Sequence, residues 1–317
     1  MKVAALDLGT NTFLCLIAEV EAGSIKKIYE DQVQVVRLGQ GMNRQNNTAP
    51  KSFHPEALAR AKTCLTEFSQ LIKKHQPEKI LAMATSAARD ADNAKELFSI
   101  GKDLNIPIEI IPGTREAEIT YQGSISGQKD FNKNFLVVDI GGGSTEIIFG
   151  HDKQLKFYQS LDIGCVRLTE RFLRQQPATK ESLTELRQEV IFQITKLKNS
   201  SGDVNKFGKI DMALAVAGTP TELARIQIGE FIPEKIDGFK ITLQQLEKWF
   251  AEFSKLTPGE ITSQFGVSSG RADVILAGVI ILAEFCKAFN LESTDVSTRG
   301  VRFGVALEIE KRESKKI

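Results

Sequence analysis

Apolar and polar positions alternate along this chain in two rhythms, one of short apolar runs and one of helical stripes. The most distinctive pattern occurs twice, from Leu6 to Ile17 and from Val138 to Phe149. Each copy is an apolar run ending in Asp, a polar glycine-bearing turn, and a second apolar run. Aligned on Asp7 and Asp139, Gly9 falls on Gly141 and Thr12 on Ser144. The pattern predicts a β-hairpin in each copy, with glycine relieving the backbone at the turn. Two such hairpins over a hundred residues apart imply a duplicated domain.

Mixed elements are predicted between and after the copies. Pro55 to Lys74 reads as an amphipathic helix with Leu58, Ala61, Leu65, Phe68, Leu71 and Ile72 along one side. Lys79 to Thr85 reads as a buried strand, and a helix opens at Ala94 with Asp92 or Asn93 as its cap. Ile108 to Ile111 is a short strand, followed by a helix from about Thr114 to Gly123. In the second half, helices are predicted over 180–198 and 243–255, and an apolar one after Arg271. Asp211 to Val216 is a strand running into the turn Ala217-Gly218-Thr219-Pro220-Thr221. Alternating strands and helices predict an α/β fold with sheets flanked by helices.

Composition narrows the function. The 317 residues are enough for two domains with full cores. A formal net charge of +1 points to neither a nucleic-acid nor a membrane partner. The apolar run Val274 to Ala283 is too short to span a bilayer. Asp7 interrupts the stretch a signal peptide would need, so the expected location is cytoplasmic. Four scattered cysteines read as reduced packing residues, and three separated histidines offer no zinc site.

The turns carry the candidate chemistry. Backbone N–H groups and hydroxyls gathered in Gly9, Thr10, Asn11 and Thr12, and in Gly141, Gly142, Gly143, Ser144 and Thr145, suit phosphate. Asp7 and Asp139 are predicted at strand ends. With Glu146, which brackets the second turn, they suit a hard divalent cation that takes carboxylate, water and phosphate oxygens. Either aspartate also fits a plain turn cap. Glu116 is equally readable as a helix-dipole acid or as a carboxylate that orients water, whereas Glu118 reads as the former. Arg89 follows a buried strand and suits either local pairing or phosphate binding. Gly218 and Thr219 belong to a turn that is either a cradle for a nucleotide or further phosphates, or a plain strand-to-helix connection.

The ordered motifs Asp7 to Thr12, Thr85 to Arg89, Gly113 to Ala117, Asp139 to Glu146 and Ser160 to Glu170, then Gly218 to Thr221, Arg271 to Asp273 and Ser297 to Gly304, cover nearly the whole chain. Together they resemble the exopolyphosphatase and guanosine pentaphosphate phosphohydrolase family of the actin, sugar-kinase and Hsp70 superfamily. The resemblance implies two actin-like (ribonuclease H-like) domains with mixed sheets flanked by helices and a cleft between them. It places domain I at 1–124, completed by 300–317, and domain II at 125–299. It implies that Glu116 handles the attacking water, that Asp139 and Glu146 bind Mg2+ (or Mn2+) or position water, and that Arg89 contacts phosphate. The implied substrates are inorganic polyphosphate or guanosine pentaphosphate. A small-molecule kinase of the superfamily and a non-enzymatic nucleotide-binding scaffold are the alternative readings. Two departures stand out: Ala217 occupies a position where the family pattern has glycine, and extra C-terminal helical domains are absent from the sequence. A short form is then expected either to prefer shorter polyphosphates or the nucleotide, or to build a groove by forming a homodimer. Lys196, Lys198, Lys206 and Lys209 read either as the lining of such a groove or as a solvated face.

Overall fold

A computed structural model describes residues 1–42, 51–200 and 208–315. The chain divides into two compact units, Met1–Gly127 with the residues from Arg299 onward, and Gln128–Thr298. Lys206 lies outside the described residues.

The first unit opens with β1 (Lys2–Leu8), β2 (Thr12–Glu21) and β3 (Ser24–Val35), then α1 (Pro55–His75), β4 (Lys79–Ala84), α2 (Ser86–Asp90), α3 (Ala94–Asp103), β5 (Ile108–Ile110) and α4 (Gly113–Ile125). Its strands form a five-stranded sheet in the order β3-β2-β1-β4-β5. β1, β2 and β3 pair antiparallel, while β4 and β5 extend the sheet parallel to β1. Alternation along a strand sends successive side chains to opposite faces. Ala4, Leu6 and Leu8 accordingly pack with the buried stripe of α1, whereas Val3 and Ala5 share the other face with Ile119 and Phe303. Asp7 therefore falls on that second face. The predicted cap of α3 is corrected. Asn93 occupies the N-cap position but caps nothing, because its side chain is bound to both backbone groups of Phe53.

The second unit repeats the plan with β6 (Asn134–Ile140), β7 (Thr145–His151), β8 (Gln154–Leu161), α5 (Cys165–Phe172), α6 (Lys180–Ser200), β9 (Met212–Val216), α7 (Gly218–Ile228), α8 (Pro233–Ile236), β10 (Lys240–Thr242), α9 (Leu243–Phe253), α10 (Pro258–Phe265), α11 (Ile275–Ala288) and β11 (Ser293–Ser297). The six-stranded sheet runs β10-β11-β9-β6-β7-β8. β6, β9 and β11 are parallel neighbours, and β6, β7 and β8 form an antiparallel meander. α11 is apolar on every side and buried over most of its length, as a central core helix must be.

The chain ends in α12 (Val301–Ser314), which covers the second face of the first sheet. α12 crosses α4 so closely that a Cβ at Gly304 would lie 2.0 Å from the Ile119 carbonyl oxygen, and one at Gly123 2.2 Å from that of Gly300. The four cysteines are free and buried: Cys15 and Cys64 in the first unit, Cys165 and Cys286 in the second. No helix among the described residues is long and apolar enough to cross a membrane.

Candidate functional site

In the first unit, three sequence-predicted residues meet at the C-terminal ends of the parallel strands β1, β4 and β5. This is where open α/β sheets place ligands. Asp7 ends β1, Arg89 lies on the helix after β4, and Glu116 lies in the first turn of the helix after β5. Arg89 Nη1 donates to Glu116 Oε2 at 2.5 Å and to the Ile111 carbonyl at 3.0 Å. Glu116 is buried, and burial pushes its carboxyl up against the opposing pull of Arg89. Burial, and then the charge of Glu116, pushes the Asp7 carboxyl up to about 8, opposed by Arg302. One Asp7 oxygen, Oδ1, is buried with no hydrogen-bond partner. Arg302, in the first turn of α12, is itself buried and held by Asp31 through a bidentate pair of 2.6 and 2.8 Å. Three acids thus face two arginines, and Asp7 is the acid left over.

The turn after β1 is closed by Gly9 N–H donating to the Thr12 carbonyl at 3.1 Å. The segment following β3 supports it from behind. Gly39 N–H donates to the Thr10 carbonyl at 2.9 Å, and the N–H groups of Val36 and Arg37 donate to that of Asn11 at 2.9 and 2.8 Å. Carbonyl and N–H of a planar trans peptide point in opposite directions, so the amides of Asn11 and Thr12 face away from this support.

The second unit builds its turn the same way. Gly141 N–H donates to the Ser144 carbonyl at 3.0 Å. The start of α5 then takes up the turn's carbonyls: Cys165 N–H bonds Gly141, and the N–H groups of Val166 and Arg167 bond Gly142, each at 3.0 Å. Arg167 Nε donates to the Gly143 carbonyl at 2.6 Å. The amides of Gly142, Gly143 and Ser144 are thereby turned to the opposite side, an array suited to an anion. The Thr145 hydroxyl, by contrast, is spent on the Ile163 carbonyl. Neither Gly9 nor Gly141 has a positive φ, which corrects the expectation that glycine relieves the backbone there. Glycine is instead required by close approach: an added Cβ would lie 2.9 Å from the Thr12 oxygen at Gly9 and 3.0 Å from the Ser144 oxygen at Gly141.

Asp139 and Glu146 are direct partners across the β6–β7 ladder, so both project from one face of the sheet. Both are buried, and Glu146 Oε1 accepts from the Ser160 hydroxyl at 2.7 Å. Asp139 is also the register partner of Val216, which leads into the Gly218 turn. There Ala217 adopts φ 76 and ψ −161, a region that glycine alone occupies without strain. Half-buried Arg271 donates to the Gly218 carbonyl at 2.8 Å, and the Thr219 side chain fills the space above Gly278. Burial pushes the Arg271 guanidinium down, against the pull of Glu222.

Among the described residues no group of three or more His, Cys, Asp or Glu side chains is gathered that would hold a metal unaided. Magnesium does not need one, since it often takes one or two carboxylates and completes its shell with water and phosphate oxygens. In the second unit the oxygen-only donors Asp139 and Glu146 fit that requirement, and in the first unit the orphaned oxygen of Asp7 is a single donor of the same chemistry.

Glu118 pairs with Arg115, which also pairs with Glu308 at 2.5 Å, apart from the Asp7 cluster. Lys198 is tied to the Ala288 carbonyl at 2.8 Å, while Lys196 and Lys209 are exposed. Sequence reasoning gave no role to Arg302, Arg271 or Arg167, although all three stand in the ordered motifs. Asp31 carried no motif signal at all.

A family model for the Ppx/GppA phosphatase family matches residues 16–313. The chain belongs to that family. Exopolyphosphatase 2 of Mycobacterium tuberculosis is 32% identical to it, over 97% of this chain and 98% of its own length. A guanosine-5'-triphosphate,3'-diphosphate pyrophosphatase of Photobacterium profundum is 30% identical over 96% of this chain, which spans 59% of that relative. The crystal structure of the Aquifex aeolicus Ppx/GppA family member superimposes with a TM-score of 0.80 at 28% identity, covering 99% of this chain and 98% of that one. Like the Ppx/GppA structures, each sheet is mixed and flanked by helices, the actin-like arrangement.

Proposed function

We propose that this Ppx/GppA chain hydrolyses a phosphoanhydride bond, releasing the terminal phosphate of inorganic polyphosphate, the 5′ γ-phosphate of guanosine pentaphosphate, or both. The observation that carries the reading is the pair of glycine turns whose amides face away from their support, each beginning at an aspartate near the end of a strand. Family membership and the names of the two relatives support the same substrate class.

In this reading the turn amides hold phosphate oxygens, and Arg89 adds a guanidinium beside Glu116. Glu116 is assigned the attacking water, because burial raises its proton affinity toward the range a general base needs. Asp139 and Glu146, paired across the β6–β7 ladder, are assigned a magnesium or manganese ion. That ion would neutralise phosphate charge as the bond breaks. Most of the catalysis is then positioning and charge stabilisation, supplied by fixed backbone and arginine donors.

The test is a phosphate-release assay on long polyphosphate, short polyphosphate and guanosine pentaphosphate, with and without magnesium, and with ATP as a control. Magnesium-dependent release from at least one of the three is expected. Absence of release from all three, or transfer from ATP to an acceptor hydroxyl, would overturn the proposal.

A further inference from the structure

The turn Gly141 to Ser144 is rigid only where something fixes its peptide planes. Of the three carbonyls that face α5, those of Gly141 and Gly142 are fixed by backbone N–H groups of the helix, which any sequence would supply. The third, on Gly143, accepts from the Nε of Arg167 at 2.6 Å. The guanidinium is largely buried, and its Nη2 lies 3.5 Å from the exposed Asp162 carboxylate. The corresponding residue of the first turn, Asn11, has its carbonyl held by two backbone amides instead. The second turn therefore depends on one side chain at the point where the first does not. Gly164 makes this approach feasible: a Cβ there would lie 2.3 Å from the Gly142 oxygen and 2.6 Å from the Gly143 carbonyl carbon.

We infer that Arg167 is a positioning residue that fixes the Gly143–Ser144 peptide plane, aiming the Ser144 amide at a phosphate oxygen of the substrate. The inference rests on the phosphate-turn reading above. Its physical basis is the planarity of the peptide, because a carbonyl locked on one side fixes the N–H on the other. A donor aligned in advance stabilises developing charge without reorganising.

The experiment compares wild type with Arg167→Ala and Arg167→Lys. Arg167→Ala is expected to lose about 10²-fold in kcat, the scale of a displaced positioning contact, with KM changed much less and Tm within a few degrees of wild type. Added guanidinium ion is expected to restore part of the loss in Arg167→Ala and none in Arg167→Lys, which keeps the charge but not the planar donor. Hydrogen exchange across 139–147 is expected to quicken in Arg167→Ala. Unchanged kcat, or a loss that guanidinium leaves untouched while Tm falls in parallel, would overturn the inference. If wild type releases no phosphate from any substrate, the proposed function fails. Tripolyphosphate binding by calorimetry then decides the inference separately: weaker binding by Arg167→Ala than by wild type upholds it, and equal binding overturns it.

Discussion

The turns after β1 and β6 are the same device with different residues at one critical place. Both begin at a strand-end aspartate, close with a single backbone hydrogen bond, and lean on the segment that follows the third strand. Across the ladder, however, Asp7 is paired with Leu14, whereas Asp139 is paired with Glu146. The second hairpin thus presents two acids on one face. The first presents one acid, set among Glu116, Arg89 and the Arg302–Asp31 pair. The backbone cradle occurs twice, and a few side chains distinguish an acid pair at one copy from an acid–arginine cluster at the other.

The largest effect tests that division. Glu146→Ala and Glu116→Gln are each expected to lose ~10²–10³ in kcat while remaining folded, the cost of removing one well-placed electrostatic group. Glutamine keeps an acceptor for Arg89 and removes only the charge. Near-normal phosphate release by Glu116→Gln would erase the distinction between the two turns.

Next come the glycines behind them. Gly164→Ala drives a methyl into backbone, 2.3 Å from the Gly142 oxygen. It is expected to cost about 3 kcal/mol by chemical denaturation. Gly39→Ala meets a side chain instead of backbone, the Thr10 methyl at 2.5 Å, and should cost about 1 kcal/mol. Equal costs would mean that the two supports are equally yielding.

A smaller effect isolates Asp7 by pH. The Asp7 carboxyl is raised from its ordinary 3.8 to about 8. Between these values the unfolded chain has released a proton that the folded chain retains, so stability falls as pH rises through that window. In EDTA, Asp7→Asn is therefore expected to gain Tm over wild type by a few degrees at pH 8 and by little at pH 4. A gain that does not change with pH would show that Asp7 is ionised in the folded protein. Smallest of all, Ala217→Gly relieves the positive φ and should stabilise by about 1 kcal/mol, read from the denaturation midpoint.

Much of this was legible in the chain. Apolar runs around Gly9 and Gly141 fixed both hairpins, and the stripe Leu58, Ala61, Leu65, Phe68 and Ile72 is the buried side of α1. The family pattern of glycine at position 217 also had a local meaning, since the backbone there takes a glycine conformation. What could not be read was set by distant partners. Arg302 finds Asp31 271 positions away, and nothing near either residue signals the match. Asn93 looked like a cap because its type prefers that position, but tertiary contact with Phe53 outcompeted the helix end. The turn glycines were identified correctly for the wrong physical reason. Crowding by a carbonyl across the turn leaves no trace in sequence, whereas a demand for positive φ is the commoner meaning of glycine.

The cysteines turn the two-unit architecture into something measurable. Each unit holds two buried thiols, and burial raises Cys15, Cys64 and Cys286 to about 12 and Cys165 to about 11. At neutral pH the folded chain should ignore alkylating reagents, so each alkylated cysteine records an opening event. Mass spectrometry of the labelled peptides would then give two independent clocks on one polypeptide, reporting which half of the molecule lets go first.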